Sequence, residues 1–373
     1  MSIDGVKVGQ GRGLYVSSAP ESPFGTAQTL THCLWHGLDS EPLEIFRERK
    51  SSKDYSSRVS SDHEMSHLQL GYGLQKPLSL YATLEAIGIF LAKVMNGGDT
   101  KTGTTPTWVH DLAYAALPAT LPGMTIEDHM SGNVGVAATD RQHLGVCIDS
   151  FEFVVGQEGQ ARINLGLIGS GKLGSVGTIT ESGLVMPTEL IEAPKCRVSM
   201  ETCPSNGTTA WDGGLEVGTQ AGVFPTIDAA ATDISDYIEE FTFRVLSGCK
   251  AERRFGSSAS AGVYLGKQFP RDRRVEVELK AIYGTPFEAL LHAAADSTAA
   301  DQKERTIILN IASDTANRGA MFAFPVCAIE PNSPSNLTGS GVLTPSYKFI
   351  SRACAAYQPI VAKIADGSSL AYA

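Results

Sequence analysis

The residues best equipped for chemistry in this chain are His63, Glu64 and His67, which fit the pattern H-E-x-x-H. On a helix the two imidazoles would face one way and could hold zinc, with the glutamate activating a bound water. The flanking sequence does not supply such a helix. Ser60-Ser61-Asp62 precedes the motif, Leu68-Gln69-Leu70 alternates behind it like a strand, and helical apolar spacing is missing. Glu85 could serve as a third ligand only by leaving its own helix face. The motif therefore reads as a chance match, and a zinc hydrolase built on His63, Glu64 and His67 is the enzymatic alternative to be tested.

A second motif, Gly166-Leu167-Ile168-Gly169-Ser170-Gly171-Lys172-Leu173, has the spacing of a phosphate-binding loop. Its last position holds Leu where a hydroxyl should meet magnesium, and Gly174-Ser175-Val176-Gly177 will not open a helix whose dipole could hold phosphate. It reads as a glycine-rich strand end. No G-x-S-x-G elbow is present. His32 and His36 flank Cys33 with weak metal spacing and no second pair to complete a site. The expectation is a protein with no catalytic residues, cofactor or metal, and so not an enzyme.

Composition agrees with a non-catalytic, turn-rich protein. The chain has 373 residues, 42% apolar and 19% charged, with 38 glycines scattered between short apolar runs. Its net charge of −10 makes it a poor grip for nucleic-acid phosphates. The first residues show no signal-peptide core, and Leu80–Met95, the longest apolar stretch, carries Glu85 and Lys93 and is too short to span a bilayer. Seven scattered cysteines without a Cys-x-x-Cys pair read as reduced, small apolar residues of a protein made in the cytoplasm.

The spacing predicts a mainly β fold of α+β type. Residues 1–30 read as an N-terminal arm with little core of its own. Leu43–Arg47 and Leu68–Gly73 make a hairpin around a long polar loop. A helix follows, capped by Thr83, carrying Leu84, Ile87, Leu91 and Val94 on one face and stopped at Asn96-Gly97-Gly98. Strands are expected around Met124–Asp128, Ile148–Val155, Ile163–Leu167 and Cys196–Met200. The second half repeats the order. Phe241–Val245 and Val275–Leu279 flank another long loop, a helix begins at the capping box Thr285-Pro286-Phe287-Glu288, a strand holds Ile307–Ile311, and 321–329 with 341–350 form a closing hairpin. The division expected is an arm (1–30), a first module (31–195), a connecting segment (196–233) and a second module (234–373).

Basic charge concentrates in the two long loops. Residues 47–58 hold Arg47, Arg49, Lys50, Lys53 and Arg58, and residues 250–274 hold Lys250, Arg253, Arg254, Lys267, Arg271, Arg273 and Arg274. These are 12 of the 30 basic residues, and the remainder of the chain holds 18 basic against 36 acidic ones. Two basic loops on an acidic body either stay solvated or dock on a neighbouring copy. Arg47, Arg49, Lys50, Lys53, Arg58, Arg253, Arg254, Arg271, Arg273 and Arg274 are the docking candidates.

Three stretches carry a resemblance: the Gly/Ser/Thr/Pro-rich start with Phe24-Gly25-Thr26, the segment Leu121-Pro122-Gly123-Met124-Thr125-Ile126-Glu127, and Gly145–Phe153 running into 161–169. In these the chain resembles the phage tail tube proteins (major tail proteins) of long-tailed, non-contractile phages, of the two-module type. The resemblance implies two tandem β-sandwich or half-barrel modules, each flanked by one helix, whose inner sheets join into a barrel around a lumen. Two modules per chain imply a trimeric, pseudo-hexameric ring, with a hexamer carrying one module outside as the other arrangement. Rings would stack through loops and arms into the tail of the virion. The implied partners are further copies of the chain, a tape measure protein, and tail terminator and tip proteins. Genomic DNA would pass through an acidic lumen without specific binding, and no membrane is involved. A sheath, capsid-associated or pilus-like subunit is the other assembly reading.

Overall fold

The structure, a computed structural model, describes residues 12–35, 43, 46–52, 66–104, 107–115, 120–130, 141–157, 159–175, 183–202, 231–249, 272–282, 304–330, 333, 343–353 and 357–372. It is mainly β with one α-helix among those residues. The first half holds β1 (Arg12–Val16), β2 (His32–Leu34), β3 (Phe46–Ser52), β4 (Ser66–Tyr81), α1 (Leu84–Met95), β5 (Asn96–Thr104), β6 (Thr107–Tyr114), β7 (Met124–Met130), β8 (Arg141–Gly156) and β9 (Arg162–Leu173). The second half holds β10 (Cys196–Thr202), β11 (Thr232–Asp233), β12 (Ile238–Leu246), β13 (Arg274–Ala281), β14 (Glu304–Ala312), β15 (Gly319–Ile329), β16 (Ser346–Ser351) and β17 (Val361–Asp366). The helix expected from Thr285 lies outside the described residues.

The strands pair antiparallel in an order that repeats. β1 pairs with β2 and β7, and β10 pairs likewise with β11 and β14. In chain order the hairpin β3–β4 answers to β12–β13, β4–β9 to β13–β16, and β7–β8 to β14–β15. β9 runs along β8 from Arg162 opposite Val154 to Leu173 opposite His143. Along β15 the same path is covered by two strands in succession, β16 opposite 327–329 and β17 opposite 319–323. Part of the first half's strand order thus recurs in the second, with a different register at β3.

Among the described residues, two strand pairings join the halves. β12 pairs with β8 from Glu240 opposite Gly156 to Leu246 opposite Ser150, and β17 pairs with β6 from Ala362 opposite Leu112 to Asp366 opposite Trp108. One buried cluster runs through both halves. Phe243 of β12 stands at its centre, 5.5 Å from the ring of Phe153 on β8 and 5.2 and 5.4 Å from Phe322 and Phe324 on β15. In pairing order β15 is three strands from β12, by way of β13 and β16. A flat sheet would separate them by about 14 Å, so the sheet curls over its own apolar face and closes a core between β12 and β15.

Helix α1 joins the same buried cluster, packing on β8, β6, β5, β17 and β12. The Thr83 hydroxyl accepts from the Ala86 amide at 3.2 Å, and Asn96 ends the helix in the left-handed conformation at φ 52°. All twelve helical residues are buried, Glu85 and Lys93 included. A helix covered on every side need not be amphipathic, which explains why its apolar residues extend beyond one face.

The expected arm is woven in from residue 12 onward. Leu14 and Val16 are fully buried, and β1 is paired on both edges. The buried carboxylate of Glu21 accepts from the amides of Gly25 and Gly145 at 2.7 and 2.9 Å and from the Thr125 hydroxyl at 2.9 Å, fixing the chain after β1. Three residues of alternation, Leu14 to Val16, are too few to announce the segment, and its second anchor is a carboxylate. β5, β6 and β17 were also not expected from the sequence; β5 is too polar, and β17 too short, to stand out from a loop.

Candidate assembly interface

One face of the curled sheet buries Phe151, Phe153, Phe241, Phe243, Val275, Val277 and Leu279 against the core. Strand alternation turns the intervening residues to the opposite face. There Ser79, Asn164, Glu152, Arg244 and Glu276 stand side by side in register across β4, β9, β8, β12 and β13. A second row runs Tyr81, Arg162, Val154, Thr242, Glu278 and Lys348.

The rows are stitched by side chains. The Ser79 hydroxyl donates to Asn164 Oδ1 and Asn164 Nδ2 donates to Glu152 Oε2, both at 2.8 Å. Arg244 Nε donates to Glu152 Oε1 across the β8–β12 joint, and its Nη1 reaches Glu278 Oε2 at 3.4 Å. Burial works against the Arg244 charge, but the hydrogen bond and charge of Glu152 and the charges of Glu278 and Glu276 outweigh it, holding the guanidinium above its ordinary pKa. Lys348 Nζ lies 3.9 Å from Glu278 on the far side. A shallow groove of about 110 Å³ opens here, lined by Arg244, Arg274, Glu276, Glu278, Glu330 and Lys348 among others.

Charge on this face is mixed. Among the described residues, Glu152, Glu239, Glu240, Glu276, Glu278 and Glu330 meet Arg162, Arg244, Arg274, Lys280 and Lys348, with Lys280 Nζ 3.2 Å from Glu239. Opposite charges on neighbouring strands support register and leave little net field.

The edges of this sheet differ. β12 uses one edge for β13 and the other for β8. In chain order β3 stands where β12 does, but its register differs: β4 pairs β3 over 66–73 and β9 over 74–81, whereas β12 and β16 flank the same residues of β13.

Of the ten basic docking candidates, Arg47, Arg49, Lys50, Arg273 and Arg274 fall within the described residues. Arg47, Arg49 and Lys50 lie on β3, with backbone partners Tyr72, Gln69 and Leu68. Lys53, Arg58, Arg253, Arg254 and Arg271 fall outside the described residues. Arg274 pairs with Glu276 on its own strand. Arg273 turns inward: its Nη2 donates to the carbonyls of Val94 and Met95 at 2.6 and 3.0 Å, Nη1 donates to the Ala115 carbonyl, and the guanidinium lies 4.2 Å from the centre of the Tyr114 ring. It closes the C-terminus of α1, a role that charge density alone could not distinguish from docking.

His67 lies on β4, extended, with Ser51 as its backbone partner. The helix required by H-E-x-x-H therefore does not run through its second histidine; residues 63–65 lie outside the described residues. The glycine-rich motif is the C-terminal half of β9, with Gly166 opposite Ser150 and Gly169 opposite Val146. His32 is buried on β2, its Nδ1 2.8 Å from the Thr31 hydroxyl, and burial depresses its pKa to about 4. His36 lies outside the described residues. Among the described residues, no three His, Cys, Asp or Glu side chains converge as a metal site. No helix among them is long and apolar enough to cross a membrane.

No protein-family model matches this chain, and no curated protein is similar to it.

One polar cluster escaped the sequence reading altogether. Asp99 on β5, His110 on β6 and Asp366 at the end of β17 meet with fully buried side chains. Asp366 lies 256 residues from His110, so no local spacing could reveal them together.

Proposed function

We propose that this chain is a tail tube subunit of long-tailed, non-contractile bacteriophages, forming trimeric, pseudo-hexameric rings that stack into the hollow tail. The observation that carries the reading is the repeated pairing pattern with an in-chain joint. β12 of the second half completes the edge of β8 in the first half. By the same repetition, the first half of a neighbouring copy would join the second half of this one as β12 joins β8. Three copies then supply six modules, and closure removes the unpaired edges that would otherwise invite uncontrolled association.

The polar face described above would line the lumen. Its matched charges would offer phosphates no net attraction, so DNA would pass without being held. The basic loops around residues 53–58 and 253–271, which lie between β3 and β4 and between β12 and β13, remain proposed contacts between stacked rings. The further partners under this reading are a tape measure protein and terminator and tip proteins. The location is the virion tail, after synthesis in the host cytoplasm, and no catalytic step is involved.

Cryo-electron microscopy of the purified protein at high concentration tests the reading. Hollow tubes with three protomers per ring are expected. Solid or branched fibres would sink the tube assignment, and six chains per ring would sink the trimer. Metal analysis tests the enzymatic alternative: stoichiometric zinc lost on His63→Ala would overturn the non-catalytic reading.

A further inference from the structure

We propose that the buried Asp99–His110–Asp366 cluster is an ionic latch that fastens the end of the chain onto the first half, and that it opens in alkali when His110 loses its proton. The proposal is independent of the tube assignment, since it concerns contacts within one chain.

The latch is built from four places in the sequence. His110 Nδ1 lies 2.7 Å from Asp99 Oδ2, and its Nε2 lies 3.5 Å from Asp366 Oδ1 and 3.2 Å from the Ser368 carbonyl. With an acceptor at each ring nitrogen, only the doubly protonated imidazolium can donate to both sides. The turn after β17 wraps around this centre. The Ser368 amide donates to Asp366 Oδ1 at 2.8 Å, the Tyr372 amide donates to Asp99 Oδ2 at 2.9 Å, and the Tyr372 hydroxyl donates to Asp366 Oδ2 at 2.5 Å. The Tyr372 ring is wholly buried, 4.3 Å from the His110 ring centre, against Gly88 of α1, where a Cβ would collide with it. The end of the chain therefore sits in a slot made by β5, β6 and α1.

Every element around the cluster contributes a titratable or charged group. β2 brings His32, whose Nε2 is 3.3 Å from the Ser368 hydroxyl. α1 brings Glu85, held at 3.2 Å by the Thr188 hydroxyl and within the fields of Asp366 and Arg318. β5 brings Lys101, which donates to the Ser369 carbonyl at the rim and covers the Trp108 ring. β17 brings Asp366 and the tail brings Tyr372.

The directions of titration follow from this setting. Burial disfavours a charged His110, but hydrogen bonds and charges from Asp366 and Asp99 overcome it and push its pKa up to about 9. A base with a raised folded pKa contributes its stability in full below its ordinary value near 6.5, and loses it as pH rises through about 9. Glu85 is pushed up to about 7, first by burial and then by the Asp366 charge, so its ionisation also weakens the slot as pH rises from 4.5 through 7. His32 acts in the opposite sense: its burial resists protonation until pH falls to about 4. With His110 neutral, Asp99 and Asp366 face each other across an uncharged ring, and the tail loses the charge that holds it.

Hydrogen exchange on the full-length protein tests the latch, with protection corrected for the intrinsic rate at each pH. Peptides spanning 96–114 and 361–372 should lose at least about tenfold protection between pH 7 and pH 10, while the β8–β12 joint keeps its own. Asp99→Asn removes one of the charges that hold the proton, so the loss should move at least one pH unit lower. His110→Gln should give low protection at both pH values with no step between them. If His110→Gln fails to fold, wild type and Asp99→Asn decide the matter. The latch is refuted if wild type shows no selective loss between pH 7 and 10, or if its midpoint is unmoved in Asp99→Asn.

Discussion

Arg244 on β12 stands directly opposite Glu152 on β8, with its Nε donating to the carboxylate, so the joint between the two halves is also an ion pair. Both side chains are partly exposed, and solvent screens the attraction. Each single Ala variant should therefore cost no more than about 1 kcal/mol. Arg244→Glu should cost more, because it faces Glu152, Glu276 and Glu278 together. Combining it with Glu152→Arg should recover part of that loss, as read by urea denaturation. Additive effects in the double variant would mean that the pair does not couple across the joint.

Phe243 gathers rings from β8 and β15 into one core. Phe243→Ala should remove about 3–5 kcal/mol of stability. Because the cluster runs through both halves, wild-type unfolding should be a single transition, with tryptophan fluorescence and far-ultraviolet circular dichroism changing together. Two separate transitions would show that the halves fold independently.

Arg273 should behave unlike the other basic candidates. It satisfies carbonyls at the end of α1 and covers Tyr114, and burial works against its charge. Arg273→Ala should cost about 1–3 kcal/mol by leaving buried carbonyls unpaired. Arg274→Ala, at an exposed pair, should stay within about 1 kcal/mol. Chemical denaturation of the two variants side by side decides it; equal, small losses would remove Arg273 from the helix cap.

Lys93 is buried in α1 with its ammonium on the Ser18 carbonyl at 2.5 Å, and burial lowers its pKa to about 8. A base with a depressed folded pKa strains the fold while it is charged, and the strain is relieved as pH rises from 8 towards 10.5. The full penalty below pH 8 is on the order of 3 kcal/mol, offset in part by the bond to Ser18. Lys93→Met should therefore be more stable than wild type at pH 6–7, with the advantage shrinking above pH 8. Thermal denaturation across that range measures it, and a less stable variant at pH 6 would show that the Ser18 contact dominates.

Much of the β framework could be read from alternation. Phe151, Phe153 and Val155, and Phe241, Phe243 and Val245, announce strands because one face is buried and the other polar. Thr83 and Asn96 announced the ends of α1 because capping chemistry is local. What stayed hidden depends on pairing across the chain. Arg273 sits among basic neighbours and differs only in what lies opposite it. Asp99, His110 and Asp366 become a cluster only when β17 is laid on β6. The strand β5, with the sequence Asn-Gly-Gly-Asp-Thr-Lys-Thr-Gly-Thr, offers no apolar rhythm at all.

The split of one strand path into β16 and β17 sets the two halves apart. In the first half β9 continues unbroken along β8, whereas in the second the path is interrupted and its last piece reaches across to β6. The halves share a plan without being interchangeable. Any closed ring of three such chains would then be threefold in detail, with two kinds of module boundary alternating around it. A protein that grips the ring from outside would meet three equivalent seats, and would be matched by a threefold collar more readily than by a sixfold one.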